Sequence, residues 1–189
     1  MIKPRDDNFT EMSATEFELW VKSLLESSGE QLHGLKILHN EKIQNQDGIY
    51  QIDITARFKI FGGEYLLLIE CKHHKSPIKR EVVQALHDKV HVLGAQKGML
   101  FSTVGFQSGA IQYARQQGIA LVRVAEGKSC YETRSADGLH EPPPWANIPK
   151  YIGWITQEKE NGAVGMSSIA PNRTEYFLDL FNETGVNRI

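Results

Sequence analysis

The chain has 189 residues, of which 41% are hydrophobic and 23% are charged, and its net charge is -2. This composition fits one globular domain of roughly 100 to 150 residues with an extension, and it excludes disorder along the whole chain. No apolar run reaches the roughly 18 to 20 residues of a membrane helix, no signal peptide is recognisable, and two cysteines are too few for a disulfide framework, so we expect a cytoplasmic protein without a membrane partner.

The first predicted element is a helix from about Ala14 to Ser27. Ser13 and Glu16 have the spacing of a capping box, in which their side chains satisfy free amides of the first turn. Apolar residues at helical spacing form its buried stripe: Phe17, Trp20, Val21, Leu24 and Leu25. Glu18 lies beside this stripe and four residues before Lys22, so an exposed ion pair is one interpretation of it.

Two strands are predicted next. The first runs from Leu35 to Ile43, and Asp47-Gly48 is a strong hairpin signal after it. In residues 50–58 apolar and polar residues alternate, which predicts a strand with one apolar face and one polar face. Asp53 is on the polar face.

The stretch Tyr65-Leu66-Leu67-Leu68-Ile69-Glu70-Cys71-Lys72 is the third predicted strand, and the chain is organised around it. Its apolar start predicts burial on both faces, and its charged end breaks that pattern. Because side chains two apart share a face, Glu70 and Lys72 point one way and Cys71 the other. We expect the three strands to form an antiparallel meander with Asp53 and Glu70 about 5 Å apart on neighbouring strands.

The pattern then continues as helix, strand, helix, strand. The helices are predicted at about 79–93 and 107–117, and the strands at 98–103 and 119–124. Alternation of this kind implies parallel strand pairs joined by right-handed crossovers.

Beyond Glu126 the pattern decays. Pro142-Pro143-Pro144 is a stiff, extended break. We therefore predict two units, residues 1–125 and a small irregular extension of unknown role at 126–189, with a short helix at 174–181.

Positive charge is concentrated between residues 72 and 97, where six Lys or Arg side chains stand against two acidic ones. The candidates for contact with nucleic acid in this segment are Lys75, Lys79, Arg80 and Lys89. Such a patch neutralises backbone phosphates, although a solvated helix face is the alternative interpretation.

Asp53 and Glu70 place two carboxylates at one sheet edge, where they repel each other unless one is protonated or a cation lies between them. A hard divalent ion such as Mg²⁺ prefers such oxygen ligands. Bound there, it polarises a phosphodiester and activates water, and Lys72 offsets the charge that develops on phosphorus. The residues therefore indicate phosphodiester hydrolysis.

The segment Ile52-Asp53 followed by Ile69-Glu70-Cys71-Lys72 resembles the motif of the PD-(D/E)XK nuclease superfamily, and the order of elements resembles its αβββαβ core. A closer resemblance, over about Ser13 to Val124, is to the Mrr-type restriction endonuclease-like domain. It rests on Val82-Val83-Gln84-Ala85-Leu86, Gly94-Ala95-Gln96-Lys97-Gly98 and Ser102-Thr103-Val104-Gly105-Phe106. The resemblance implies an α/β fold with a mixed central sheet flanked by helices.

The resemblance also implies roles for individual residues. Asp53 and Glu70 match the metal-binding carboxylates, and Lys72 matches the catalytic lysine. Glu18 matches a helix glutamate that adds a further ligand, with Glu16 as the alternative if the helix phase is off by one residue. Gln84 matches a helix glutamine near the catalytic residues. Ile52 replaces the proline that often precedes the aspartate.

A DNA endonuclease dependent on Mg²⁺, or on Mn²⁺, is the activity that the resemblance implies, with DNA as partner and a homodimer as a possible assembly. Restriction and repair both remain open. One alternative is a nuclease-like module that binds DNA or a protein without cleavage, and another is a resolvase of branched DNA. The sequence contains no recognisable module for reading a base sequence.

Overall fold

The computed structural model describes residues 12–30, 32–126, 150–158 and 164–169. In chain order its elements are α1 (Ala14–Ser28), β1 (Lys36–Asn45), β2 (Gly48–Ile60), β3 (Gly63–Lys72), α2 (Arg80–Val92), β4 (Lys97–Ser102), α3 (Ser108–Gln117), β5 (Ala120–Glu126), β6 (Tyr151–Glu158) and β7 (Val164–Ile169). Every helix and strand expected up to residue 126 is present, with ends that differ from the predicted ones by at most two residues.

The seven strands form one mixed sheet in the order β1-β2-β3-β4-β5-β6-β7. Strands β1 to β3 are the expected antiparallel meander, and β3, β4 and β5 are the expected parallel set. This α/β architecture, with helices on both faces, confirms the predicted fold class.

Part of the predicted irregular extension is not irregular. Strand β6 pairs antiparallel with β5, and β7 pairs antiparallel with β6. Without them β5 would leave a row of unpaired backbone groups along the sheet edge. The prediction missed both strands because they lack sustained alternation. The proposed division into 1–125 and 126–189 stays a prediction, while the proline break at 142–144 and the helix at 174–181 lie outside the described residues.

Helices cover the two faces of the sheet separately. On one face, Phe17, Val21 and Leu24 of α1 pack on β2 and β3 in what we call the α1 cluster. On the other face, Val83 and Leu86 of α2 pack with residues of α3 and the sheet in the α2/α3 cluster. The N-terminus of α1 carries the predicted capping box, with hydrogen bonds in both directions between residues 13 and 16.

The ladder between β1 and β2 skips one pair, Asn40 and Asp53. Asn40 has φ = +55°, a left-handed conformation that asparagine tolerates better than most residues. At this point the side chains of β2 change face. Ile52 and Ile54 are two residues apart and would share a face in a regular strand, but Ile54 packs in the α1 cluster and Ile52 in the α2/α3 cluster. The prediction that residues 50–58 present one apolar face is therefore wrong. Asp53 lies at the point of reversal.

Candidate active site

The predicted strand-end residues meet where the ladder between β2 and β3 stops. Its last pair is Ile54 with Ile69, and Asp53 and Glu70 are the next residues beyond it. The backbone N–H of Cys71 donates to Asp53 Oδ2 at 2.7 Å, so a side-chain carboxylate takes the hydrogen bond that a backbone carbonyl would otherwise accept. This contact orients the Asp53 carboxylate at the end of β3.

Lys72 brings the two carboxylates together. Its Nζ donates to Glu70 Oε2 at 2.7 Å and lies 3.6 Å from Asp53 Oδ2. As expected, Cys71 faces the other side of β3, where it is a buried free thiol in the α1 cluster. Burial, and then the nearby Asp53 carboxylate, raise the pKa of that thiol, so it is not a ready nucleophile.

Lys89 of α2 is a second cation on Glu70. Its Nζ donates to Glu70 Oε1 at 2.6 Å and to the Gln51 carbonyl at 3.2 Å. Each oxygen of the Glu70 carboxylate thus accepts from a different lysine, one on the sheet and one on a helix. The Glu70 side chain is 8% exposed, so both contacts are shielded from solvent at the carboxylate.

The charges in this cluster displace the pKa values of its members. Burial and the Glu70 carboxylate raise the pKa of Asp53 above its usual range. Burial would also raise the pKa of Glu70, but Lys72 and Lys89 outweigh it and hold that pKa low. Burial alone would lower the pKa of Lys72, yet the carboxylates raise it. At neutral pH the ion cluster is therefore stable, and Asp53 is its least favourable charge.

Glu18 extends from α1 towards β1 and not along its own helix. Its Oε2 lies 2.7 Å from His39 Nε2 of β1, and the negative charge of Glu18 also contributes to the raised pKa of Asp53. The alternative ion pair with Lys22 is not formed, because Lys22 pairs with Glu26. Glu16 is committed to the N-terminal cap of α1, so of the two glutamates Glu18 is the one directed at this end of the sheet.

Loop contacts hold the end of β3 in place. The backbone N–H of Thr103 donates to the Lys72 carbonyl at 3.2 Å, and the Thr103 hydroxyl contacts the backbone of His74. A parallel bridge between Ile78 and Phe106 ties the same two loops together further on. These loops follow the carboxyl ends of parallel strands, which is where open α/β sheets bind ligands.

The remaining sequence-predicted residues are spread over the surface beside this cluster. Lys75, Lys79 and Arg80 are exposed, and the Arg80 guanidinium lies 4.9 Å from the centre of the Tyr113 ring. Gln84 is exposed on α2. The contacts described for the Glu70 carboxylate come from lysines, and Gln84 is not among its partners.

The donor chemistry of the cluster suits a hard divalent cation. Asp53, Glu70 and Glu18 supply oxygen atoms, and the raised pKa of Asp53 reflects carboxylate repulsion that a cation relieves. Lys72 and Lys89 supply that positive charge here. Within residues 12–126, apart from 31, and the described parts of β6 and β7, no group of three or more His, Cys, Asp or Glu is arranged as a metal site.

Two contacts were missed by the sequence analysis. Lys89 was assigned to DNA from its charge, but its ammonium contacts Glu70, 19 residues away along the chain. His39 was not singled out, yet it is the partner of Glu18. A signal existed for Lys89, since it lies seven residues after Val82 on the apolar side of α2. His39 lies on β1, which has no clear alternation of polar and apolar residues, so no sequence signal indicated its contact with Glu18.

Comparisons with known proteins agree with this architecture. A family model described as a restriction endonuclease, Mrr_cat, matches residues 9–126, more than half of the chain. No curated protein matches this chain. No helix in the described parts of the chain has the length and apolar character needed to span a membrane.

Two solved structures are similar to part of the chain. One is a protein of unknown function, AF1548, with a TM-score of 0.43 and 22% identity, covering 55% of this chain and 56% of that one. Another is Can2 from Sulfobacillus thermosulfidooxidans in complex with cyclic tetra-adenylate, with a TM-score of 0.47 and 25% identity, covering 57% of this chain and 32% of that one. The chain thus spans about half the length of the first and a third of the second.

Proposed function

We propose that this chain, which belongs to the restriction endonuclease family Mrr_cat, is a divalent-metal-dependent endonuclease. Its proposed reaction is the hydrolysis of phosphodiester bonds of DNA. The observation that carries the proposal is the meeting of Asp53, Glu70 and Lys72, with the Lys72 ammonium 2.7 Å from one carboxylate and 3.6 Å from the other. An ordinary surface ion pair would not need a second, mutually repelling carboxylate.

In this proposal Asp53 and Glu70 hold the metal ion, Mg²⁺ or Mn²⁺, and Glu18 adds a further ligand. The ion supplies Lewis-acid polarisation of the phosphodiester and a more acidic bound water. The chain supplies the positions of the ligands: the Cys71 amide orients Asp53, His39 orients Glu18, and the loop around Thr103 supports the end of β3.

Lys72 is the proposed catalytic lysine. Its pKa is raised by the carboxylates, so it is protonated at neutral pH in the ion-free protein. A protonated ammonium at this place stabilises the charge that develops on phosphorus and orients the attacking water. Gln84, which is exposed on α2, is the further residue proposed to lie near the catalytic group.

The proposed DNA contacts are the exposed cations Lys75, Lys79 and Arg80, which lie on the loop before α2 and on its first turn. They neutralise phosphates, and the same surface does not by itself read a base sequence. A homodimer and a cytoplasmic location are further parts of the proposal that remain predictions.

The test is cleavage of supercoiled plasmid, methylated and unmethylated, with Mg²⁺, Mn²⁺ or EDTA. Wild type is compared with Asp53→Asn, Lys72→Met and the control Lys59→Met, whose lysine pairs with Glu64 at the surface. We expect metal-dependent nicking or linearisation by wild type and by Lys59→Met, and its loss in the other two variants.

The alternatives are separated by adding linear duplex and a four-way junction as substrates and a mobility-shift assay for binding. A binding module without cleavage shifts plasmid or duplex mobility equally in all variants and leaves the DNA intact in every buffer. A resolvase spares the linear duplex and cuts a four-way junction with the same dependence on Asp53 and Lys72. Metal-independent cleavage, or cleavage retained by both site variants, overturns the proposed site.

A further inference from the structure

Lys89 holds a position that the proposed metal ion needs. Its Nζ contacts Glu70 Oε1 at 2.6 Å, and Lys72 contacts the other oxygen, Oε2, at 2.7 Å. Both oxygens of the one buried carboxylate of the cluster are therefore engaged by ammonium groups. Each of these oxygens has a second lone pair, but a divalent cation bound at Oε1 would lie beside the Lys89 ammonium, and the two positive charges repel each other.

The two lysines differ in what fixes them. Lys72 stands on β3 two residues from Glu70 and contacts both carboxylates, so it remains in the cluster when one contact changes. Lys89 is held at the end of a flexible side chain from α2, by Glu70 and by the Gln51 carbonyl at 3.2 Å. Its side chain is 27% exposed, so its ammonium can move into solvent.

We propose that Lys89 is a built-in competitor of the divalent cation: it occupies Glu70 Oε1 in the ion-free protein and leaves it when the ion binds. The inference rests on the proposed function, because Glu70 must be a metal ligand. It assigns Lys89 a positioning role in the ion-free state, in which it links α2 to the sheet. The DNA contact predicted for Lys89 then applies only after its release.

Replacing Lys89 removes the competitor, and metal affinity is the direct readout. Lys89→Met should bind Mn²⁺ about tenfold more tightly than wild type, the factor expected for loss of a competing hydrogen bond to a charged group. Lys89→Arg keeps the charge and the contact, and should bind Mn²⁺ like wild type. Binding is measured by isothermal titration calorimetry and by the electron paramagnetic resonance signal of free Mn²⁺, without DNA.

A control is needed because any lost positive charge favours cation binding. Lys42 is exposed on β1 and pairs with Gln51, the residue whose carbonyl Lys89 contacts, so Lys42→Met removes an equal charge nearby without removing a contact to Glu70. We expect less than a twofold change in Mn²⁺ affinity for it. Equal tightening in Lys42→Met and Lys89→Met would overturn the inference and leave only a general charge effect.

The inference and the proposed function fail in different ways. Unchanged Mn²⁺ affinity in Lys89→Met, with metal-dependent cleavage by wild type, overturns the competition alone. Absence of Mn²⁺ binding by wild type, Lys89→Met and Asp53→Asn alike overturns both. Tighter Mn²⁺ binding by Lys89→Met than by wild type, lost in the double variant Lys89→Met/Glu70→Gln, supports the competition and Glu70 as a metal ligand.

Discussion

The ion pair between Lys72 and Glu70 should contribute measurably to folding, unlike most ion pairs at a protein surface. Its Nζ–Oε2 distance is 2.7 Å, and the two side chains are 26% and 8% exposed. A hydrogen bond to a charged, shielded group contributes about 1.5 to 3 kcal/mol, whereas an exposed pair contributes about 0 to 1 kcal/mol. We therefore expect a coupling free energy of about 1.5 to 3 kcal/mol.

A double-mutant cycle of Lys72→Met and Glu70→Gln measures this coupling. Lys72→Met alone should lower the free energy of unfolding by about 1.5 to 3 kcal/mol, because the buried carboxylate keeps only Lys89 as its cationic partner. In the double variant the second substitution should cost less than it does alone. The assay is urea unfolding at 25 °C and pH 7 in EDTA.

The conditions follow from the pKa shifts. The lowered pKa of Glu70 gives stability above the ordinary pKa of glutamate that is lost as pH falls, and the raised pKa of Lys72 gives stability below the ordinary pKa of lysine that is lost at higher pH. The coupling is thus fully present at pH 7.

The control cycle is Lys59→Met with Glu64→Gln, a pair at 3.4 Å whose side chains are 55% and 80% exposed. Its coupling should be below about 0.5 kcal/mol and should decline further in 0.5 M salt, while that of Lys72 and Glu70 should not. Equal couplings in the two cycles would refute the view that burial makes the Lys72 pair strong.

Three further predictions concern stability. Asp53→Asn should have a free energy of unfolding no lower than that of wild type at pH 7, because its amide oxygen still accepts from the Cys71 N–H and the charge with the raised pKa is gone. In a series of urea titrations, the stability of the variant relative to wild type should decrease as pH falls towards 4. A free energy of unfolding lower than that of wild type by more than about 1 kcal/mol at pH 7 would contradict the prediction. The pKa of buried Lys97 is lowered to about 8, so the unfolded chain binds more protons between that pH and 10.5, and wild type should gain up to about 3 kcal/mol relative to Lys97→Met as pH rises through this range. If chemical unfolding gave the same stability difference between wild type and Lys97→Met at every pH in this range, the lowered pKa of Lys97 would be contradicted. Phe61 is fully exposed in the turn between β2 and β3 and has φ = +51°, a left-handed conformation that asparagine tolerates better than phenylalanine. Phe61→Asn should therefore raise the midpoint of thermal unfolding by the equivalent of about 1 kcal/mol. An unchanged or lower midpoint would show that the turn is not strained.

The order of elements could be read from the sequence because it depends on local chemistry. The capping box at Ser13 and Glu16 starts α1, and the short apolar run before Glu70, which follows a Gly-Gly turn signal, is typical of a strand covered on both faces. Strand, helix, strand alternation then requires parallel pairs, which β3, β4 and β5 form. Strands β6 (Tyr151–Glu158) and β7 (Val164–Ile169) lack such a local signal, because β6 is defined by its pairing with β5 and β7 by its pairing with β6.

The geometry of the candidate site was accessible only in part. Alternation put Glu70 and Lys72 on one face, and their 2.7 Å contact agrees. The place of Asp53 depended instead on a change of face opposite Asn40, a backbone conformation that no alternation pattern predicts. An alternation pattern assumes that successive side chains keep to alternate faces, so it does not show where a strand changes face.

The amino-acid sequence alone defines the groups available at the end of β3: two carboxylates, a lysine and a basic segment after them. Which group meets which was decided by the tertiary structure. Lys89 reaches Glu70 because α2 packs back across the sheet, and Glu18 reaches His39 because α1 packs on the opposite face. Charged side chains interact when they are a few ångströms apart in space, even if they are far apart in the chain, whereas periodicity reflects only residues that are close in sequence.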